Sequence, residues 1–200
     1  MPFIPEITQF INDSLKASSL NKKKLQPAKF YGLTTQVFKS LKDKNTNNVE
    51  PFPAIVEGNG AITMISPDDK YSLQVYHKNI GKTYSYEKNS YGDDYLVKVA
   101  ADMQMIVITN SKISGKAKEA IEPLFILGMP QRLSKELVSG LGINSCLITP
   151  IGSNMDSMQV FRQEYPKSNL FLTNQMSMFL IRYKIELTLS QKCIEQCLCE

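Results

Sequence analysis

The chain has no tryptophan, a single histidine (His77) and four cysteines, and three of those, Cys193, Cys197 and Cys199, crowd the last eight residues while Cys146 stands alone. Each scarcity excludes some chemistry. A serine or cysteine nucleophile ordinarily needs a base, and His77 is the sole imidazole on offer. It ends an expected surface strand beside Lys78 with no partner motif around it, so it reads as an exposed or edge histidine. An oxidised framework would be spread along the chain, and the spacing C-x3-C-x-C matches no common zinc pattern. The terminal cysteines therefore read as reduced thiols without metal, and no cofactor is expected.

Long apolar runs are also missing. No stretch approaches a membrane span, and Met1 to Leu20 carries no signal-peptide pattern, with prolines at 2 and 5. The expected compartment is the cytoplasm, or whatever assembly carries the chain. No G-x-S-x-G, H-E-x-x-H or EF-hand loop occurs. Gly58-Asn59-Gly60 begins like a dinucleotide fingerprint but lacks the third glycine and the helix. Gly140-Leu141-Gly142 falls between a helix and a strand, which is the wrong order. The acidic pairs Asp68-Asp69 and Asp93-Asp94 sit in expected turns, where such pairs are common, and neither is assigned a metal.

What charge there is sits unevenly. The net charge is +4, and residues 1–50 hold eight lysines against Glu6, Asp13, Asp43 and Glu50, so the excess falls in the first quarter. Lys22-Lys23-Lys24 could touch phosphate. Without interleaved aromatics it reads first as a solvated connector.

Periodicity then supplies the elements. Tyr95–Asn110 is the longest apolar run, with a period of two and one cleaner face, and predicts a long strand. Ile7, Phe10, Ile11 and Leu15 form one helical stripe within Pro5–Ala17. Phe30, Leu33, Val37, Phe38 and Leu41 are partly at helical spacing and predict a short helical segment over 29–42. A polar loop follows at 43–49. Strands are expected at 52–56, 61–65, 71–75 and 83–88, joined by turns at 58–60, 67–69 and 79–81. Helices are expected at 114–125 and after Pro130, a strand at 144–149, a short helix at 156–165, and a strand at 178–189. That last strand alternates Phe179, Ile181, Tyr183, Ile185, Leu187 and Leu189 with Arg182, Lys184 and Glu186. The sum is one α+β domain over 1–200: an antiparallel meander sheet covered by the N-terminal helix and a central helix, with extended loops or arms. The basic part is 1–50, and 166–177 is arm-like.

The element order is a helix, a strand meander, a central strand ending in VITN, the segment SGKAKEAIEPLF and a late strand ending in FLIRYKIEL. It resembles the tail-terminator and neck-ring proteins of tailed bacteriophages, α+β subunits that form rings at the head–tail junction or the end of the tail tube. The asparagine-, lysine- and serine-rich, tryptophan-free composition suits a phage of an AT-rich host such as the crAss-like group. The segment 126–165 departs from the smaller members. The resemblance implies a virion protein without enzymatic activity. Its partners would be copies of itself and portal, adaptor or tail-tube subunits. Contact-bearing parts would be 43–50, 79–94 and the 178–189 strand. Phe171, Leu172, Arg182, Lys184 and Glu186 are the interface candidates, with Phe171 and Leu172 on an arm that docks on a neighbour. Two other readings remain open: a small enzyme with a site near Asp93, Asp94, Asp102 and His77, and a nucleic-acid binder using Lys22–Lys24.

Overall fold

The computed structural model describes residues 3–17, 27–40, 49–56, 60–88, 95–113, 127–133, 135–141, 143–166 and 172–190. Their order is α1 (Phe3–Ala17), β1 (Ala28–Ser40), β2 (Val49–Val56), β3 (Ile62–Met64), β4 (Leu73–Lys88), β5 (Tyr95–Asn110), α2 (Lys135–Gly140), β6 (Ser145–Asn154), α3 (Ser157–Glu164) and β7 (Met176–Ser190). The seven strands form one sheet in the order β3-β2-β1-β4-β5-β7-β6. The class is α+β, as expected, but the sheet is mixed: β1 lies parallel to β4, while every other pair is antiparallel. A parallel neighbour cannot be reached by a tight turn, so the chain leaves β1, builds the β2–β3 wing and returns as β4.

The central ladders are β4–β5 and β5–β7. The latter pairs without a break from Leu96↔Ser190 to Asn110↔Met176. The odd-numbered residues of β5 from Val97 to Val107 and those of β7 from Phe179 to Leu189 share one buried face with Ile4, Ile7, Ile11 and Leu15 of α1. Full burial of each valine, leucine, isoleucine, methionine or phenylalanine among them contributes about 1.5–3 kcal/mol. Among the described residues the opposite face is covered at one end only. There Ile106, Ile108, Met178 and Leu180 meet Val160 and Phe161 of α3, with Tyr31, Phe52, Ile65, Tyr76 and Tyr165. Asp156 caps α3, its carboxylate accepting from the backbone N–H of Gln159 at 3.0 Å, a bond characteristic of helix starts.

Several expectations are corrected here. Residues 29–40 of the expected helical segment 29–42 are not helical: they belong to the strand β1, and a bulge between Phe30 and Leu33 brings both against the α1-side core. The extra residue makes a strand repeat at i, i+3 and so mimics a helix. The expected turn at 79–81 is likewise a bulge inside one continuous β4. β6 runs on past Pro150 with a bulge before Gly152. The central helix at 114–125 falls outside the described residues, as do Lys22–Lys24, residues 43–48, Asp93, Asp94, Phe171 and the three terminal cysteines.

Candidate functional site

His77 is not the exposed edge residue its strand-end position predicts. It is fully buried on the α1 side of the sheet. Both ring nitrogens are engaged, Nδ1 with the Tyr183 hydroxyl at 2.9 Å and Nε2 with Asn12 Oδ1 at 2.8 Å. The Asn12 amide donates to the Tyr31 carbonyl at 2.6 Å, so its oxygen must accept from the ring. Nε2 therefore carries the proton, and Nδ1 accepts from Tyr183. Every member is satisfied, and the chain of bonds joins α1, β1, β4 and β7. Burial holds the imidazole down at about 3, so it stays neutral, and pushes the Tyr183 phenol far up. A neutral imidazole with both nitrogens spent, out of reach of solvent, is a structural tie between helix and sheet. Its spacing gave little warning; the missed signal is Asn12, a polar residue inside the apolar stripe between Ile11 and Leu15.

A second buried polar group lies on the other face of the same strand. Glu164 of α3 accepts from the Tyr76 hydroxyl at 3.1 Å and from Lys78 Nζ at 2.7 Å. Tyr165 donates to the Ile65 carbonyl at 2.8 Å. Burial, with Tyr165 and Glu164 alongside, raises the Tyr76 phenol well above its ordinary value. These bonds dock α3 on β4 and on the chain entering it, and the alternation of the sequence did not reveal them.

Beyond α3 the same face is open. Here the strands set polar and small residues side by side: Ser85, Lys98, Thr188 and Ser145 in one row, then Thr83, Ala100, Glu186 and Leu147, then Gly81, Asp102, Lys184 and Thr149. The first two rows, with Lys184 of the third, line a shallow trough of about 450 Å³. Lys98 pairs with Glu87 at 2.7 Å and Lys184 with Glu186 at 3.1 Å, all four partly exposed. Arg182, Lys184 and Glu186 thus stand together on this face, where the alternation of β7 places them. Leu172 lies elsewhere, half-buried against the α3-side core. Asp102 and His77, grouped in the enzyme reading, lie on opposite faces of the sheet, since Asp102 pairs in the open row and His77 faces α1.

The margin of this region is also open. β1 pairs with β4 only as far as Thr34↔Lys78. Past that point, among the described residues, Asn79–Lys88 pairs with β5 alone, and Ile80, Tyr84 and Tyr86 are exposed.

No protein-family model matches this chain, and no curated protein matches it. Function must therefore be argued from the geometry. Among the described residues no group of three histidine, cysteine or acidic side chains could hold a metal, and no helix is long and apolar enough to cross a membrane. Cys146 is a buried free thiol whose pKa burial pushes up to about 12.

Proposed function

We propose that this protein is a non-enzymatic structural subunit that assembles with copies of itself into a ring. The ring would be of the kind that tailed bacteriophages carry in the virion at the head–tail junction or the tail end, joined to portal, adaptor or tail-tube subunits. One observation carries the reading. Half of the sheet is locked between helices, while the other half presents a charged face that no described residue covers. A surface of alternating charge specifies register and partner more than it supplies raw affinity, which suits repeated copies of one contact. The burial of the only imidazole in a satisfied network points the same way.

The native mass of the purified protein tests this, by light scattering and electron microscopy, alone and mixed with candidate portal or tube subunits. A closed ring of several copies is expected, and the double reversal Lys184→Glu with Glu186→Lys should change its stability with salt. A particle that never exceeds two copies under any of these conditions overturns the ring.

A further inference from the structure

The sheet treats its margins differently. β3 is three residues long, too short to template much pairing. β6 carries Pro150 and a bulge, and its outer side is met by Arg132, paired with Leu147, and by the Gln131 carbonyl, which accepts from Ile148 at 2.8 Å. These are the devices that keep an edge from pairing. Past its own bulge at Ile80, the margin of β4 that no described residue pairs with runs regularly from Gly81 to Lys88 with no proline. Tyr84 is 54% and Tyr86 73% exposed there. Lys82 and Lys88 are its only like-charged protections.

We propose that this margin pairs antiparallel with the same margin of a second copy, about a two-fold axis at Tyr84. Residues directly opposite in an antiparallel ladder lie on the same face. A symmetric pairing must therefore match even with even residues and odd with odd. With Tyr84 opposite itself, Lys82 lies opposite Tyr86 of the second copy, Thr83 opposite Ser85, and Gly81 opposite Glu87. Both lysine–tyrosine pairs are cation–π partners, and the tyrosines meet at the centre. Shifting the axis to Ser85 sets Lys82 against Lys88 twice, a like-charge penalty. Shifting it to Thr83 drives the ladder into the bulge at Ile80 and shortens the regular run. An axis at Tyr86 leaves only Tyr84 to Lys88 to pair, since β4 ends there. Charge and the length of the regular run thus select one register, and one that closes at two copies. A ring requires a different, head-to-tail contact, so this pairing stands apart from the ring reading.

The test uses the full chain with Cys146, Cys193, Cys197 and Cys199 replaced by alanine. Sedimentation should show a concentration-dependent dimer. Tyr84→Cys should be joined to itself by a short thiol cross-linker, while Lys82→Cys and Tyr86→Cys should be joined to each other when mixed and not to themselves. Tyr84→Lys should weaken the dimer by roughly tenfold with unchanged thermal unfolding. A protein that stays monomeric at high micromolar concentration overturns the pairing, as does a dimer indifferent to Tyr84→Lys. Cross-linking of Lys82→Cys to itself refutes the register. Rings in which Tyr84→Cys does not react would uphold the ring and sink the two-fold contact. Dimers that react but never grow further would do the reverse.

Discussion

Leu73–Lys78 and Asn79–Lys88 are consecutive stretches of one strand with opposite fates. In the first, both faces are covered: Leu73, Val75 and His77 lie under α1, and Gln74 and Tyr76 face the α3 side. In the second, Thr83 to Lys88 are all exposed. The border is the bulge at Ile80, which is also where β1 has stopped pairing. Strand propensity does not separate the halves, since both are rich in aromatic and β-compatible residues. Cover does. The first half owes its stability to layers contributed by other segments, and the second is held in the sheet by β5 and left with surface to offer. Tyrosine does both jobs, as a hydrogen-bonded core residue at 76 and as an exposed ring at 84 and 86.

The sharpest way to break the comparison is to make one truncation in each half. Tyr76→Ala should cost about 3–5 kcal/mol, because it opens a cavity between sheet and α3 and removes a bond to buried Glu164. Tyr86→Ala should change monomer stability by no more than about 0.5 kcal/mol, as exposed substitutions do. Denaturant unfolding of both variants at low protein concentration checks the contrast. Equal losses would mean that the projecting half is as deeply integrated as the other.

The next effect is acid sensitivity confined to the covered half. His77 has an ordinary pKa near 6.5 when unfolded and is held at about 3 when folded. Above 6.5 neither state binds the proton, and the folded state keeps its full stability. As pH falls below 6.5 the unfolded chain takes up a proton that the folded chain refuses, so stability declines until the folded pKa is reached. The loss should amount to about 2 kcal/mol by pH 5. His77→Gln should be less stable at pH 7 and should lack this slope between pH 6.5 and 5. An unchanged slope in that variant would assign it to other groups.

How far the sequence foretold this contrast depends on the kind of signal. β5 and β7 were legible because a period of two survives along their whole length, and α1 because Ile7, Ile11 and Leu15 recur on one stripe. α3 falls within the short helix expected at 156–165. The bulges were not: an extra residue between Phe30 and Leu33 turned a strand's repeat into a helical one, and Asn79-Ile80-Gly81 carries turn-forming residues in the middle of a strand. The parallel register of β1 on β4 leaves no local trace, since it is decided by which long strands compete for the centre of the sheet. At the candidate site, Arg182, Lys184 and Glu186 could be placed on one face from alternation alone. The Asn12–His77–Tyr183 chain could not, because its members are far apart in sequence and meet only once α1 is docked.

The smallest expected effect compares two ion pairs of the same length. Lys78–Glu164 and Lys98–Glu87 are both 2.7 Å apart. Glu164 has only 3% of its side chain exposed, whereas both members of the other pair are about half exposed. Distance alone would rate them equally. Desolvation does not: removing Lys78 leaves a carboxylate in a low-dielectric layer with the Tyr76 hydroxyl still donating to it, a loss of about 1–3 kcal/mol. Removing Lys98 frees Glu87 to water, and an exposed pair contributes only about 0–1 kcal/mol, less as salt rises. Lys78→Met should thus lower the unfolding midpoint clearly and keep most of that deficit in high salt. Lys98→Met should shift it barely, with the shift vanishing in salt. Matching deficits with matching salt dependence would show that burial does not divide the two halves of β4, and the comparison would fail where it is most finely drawn.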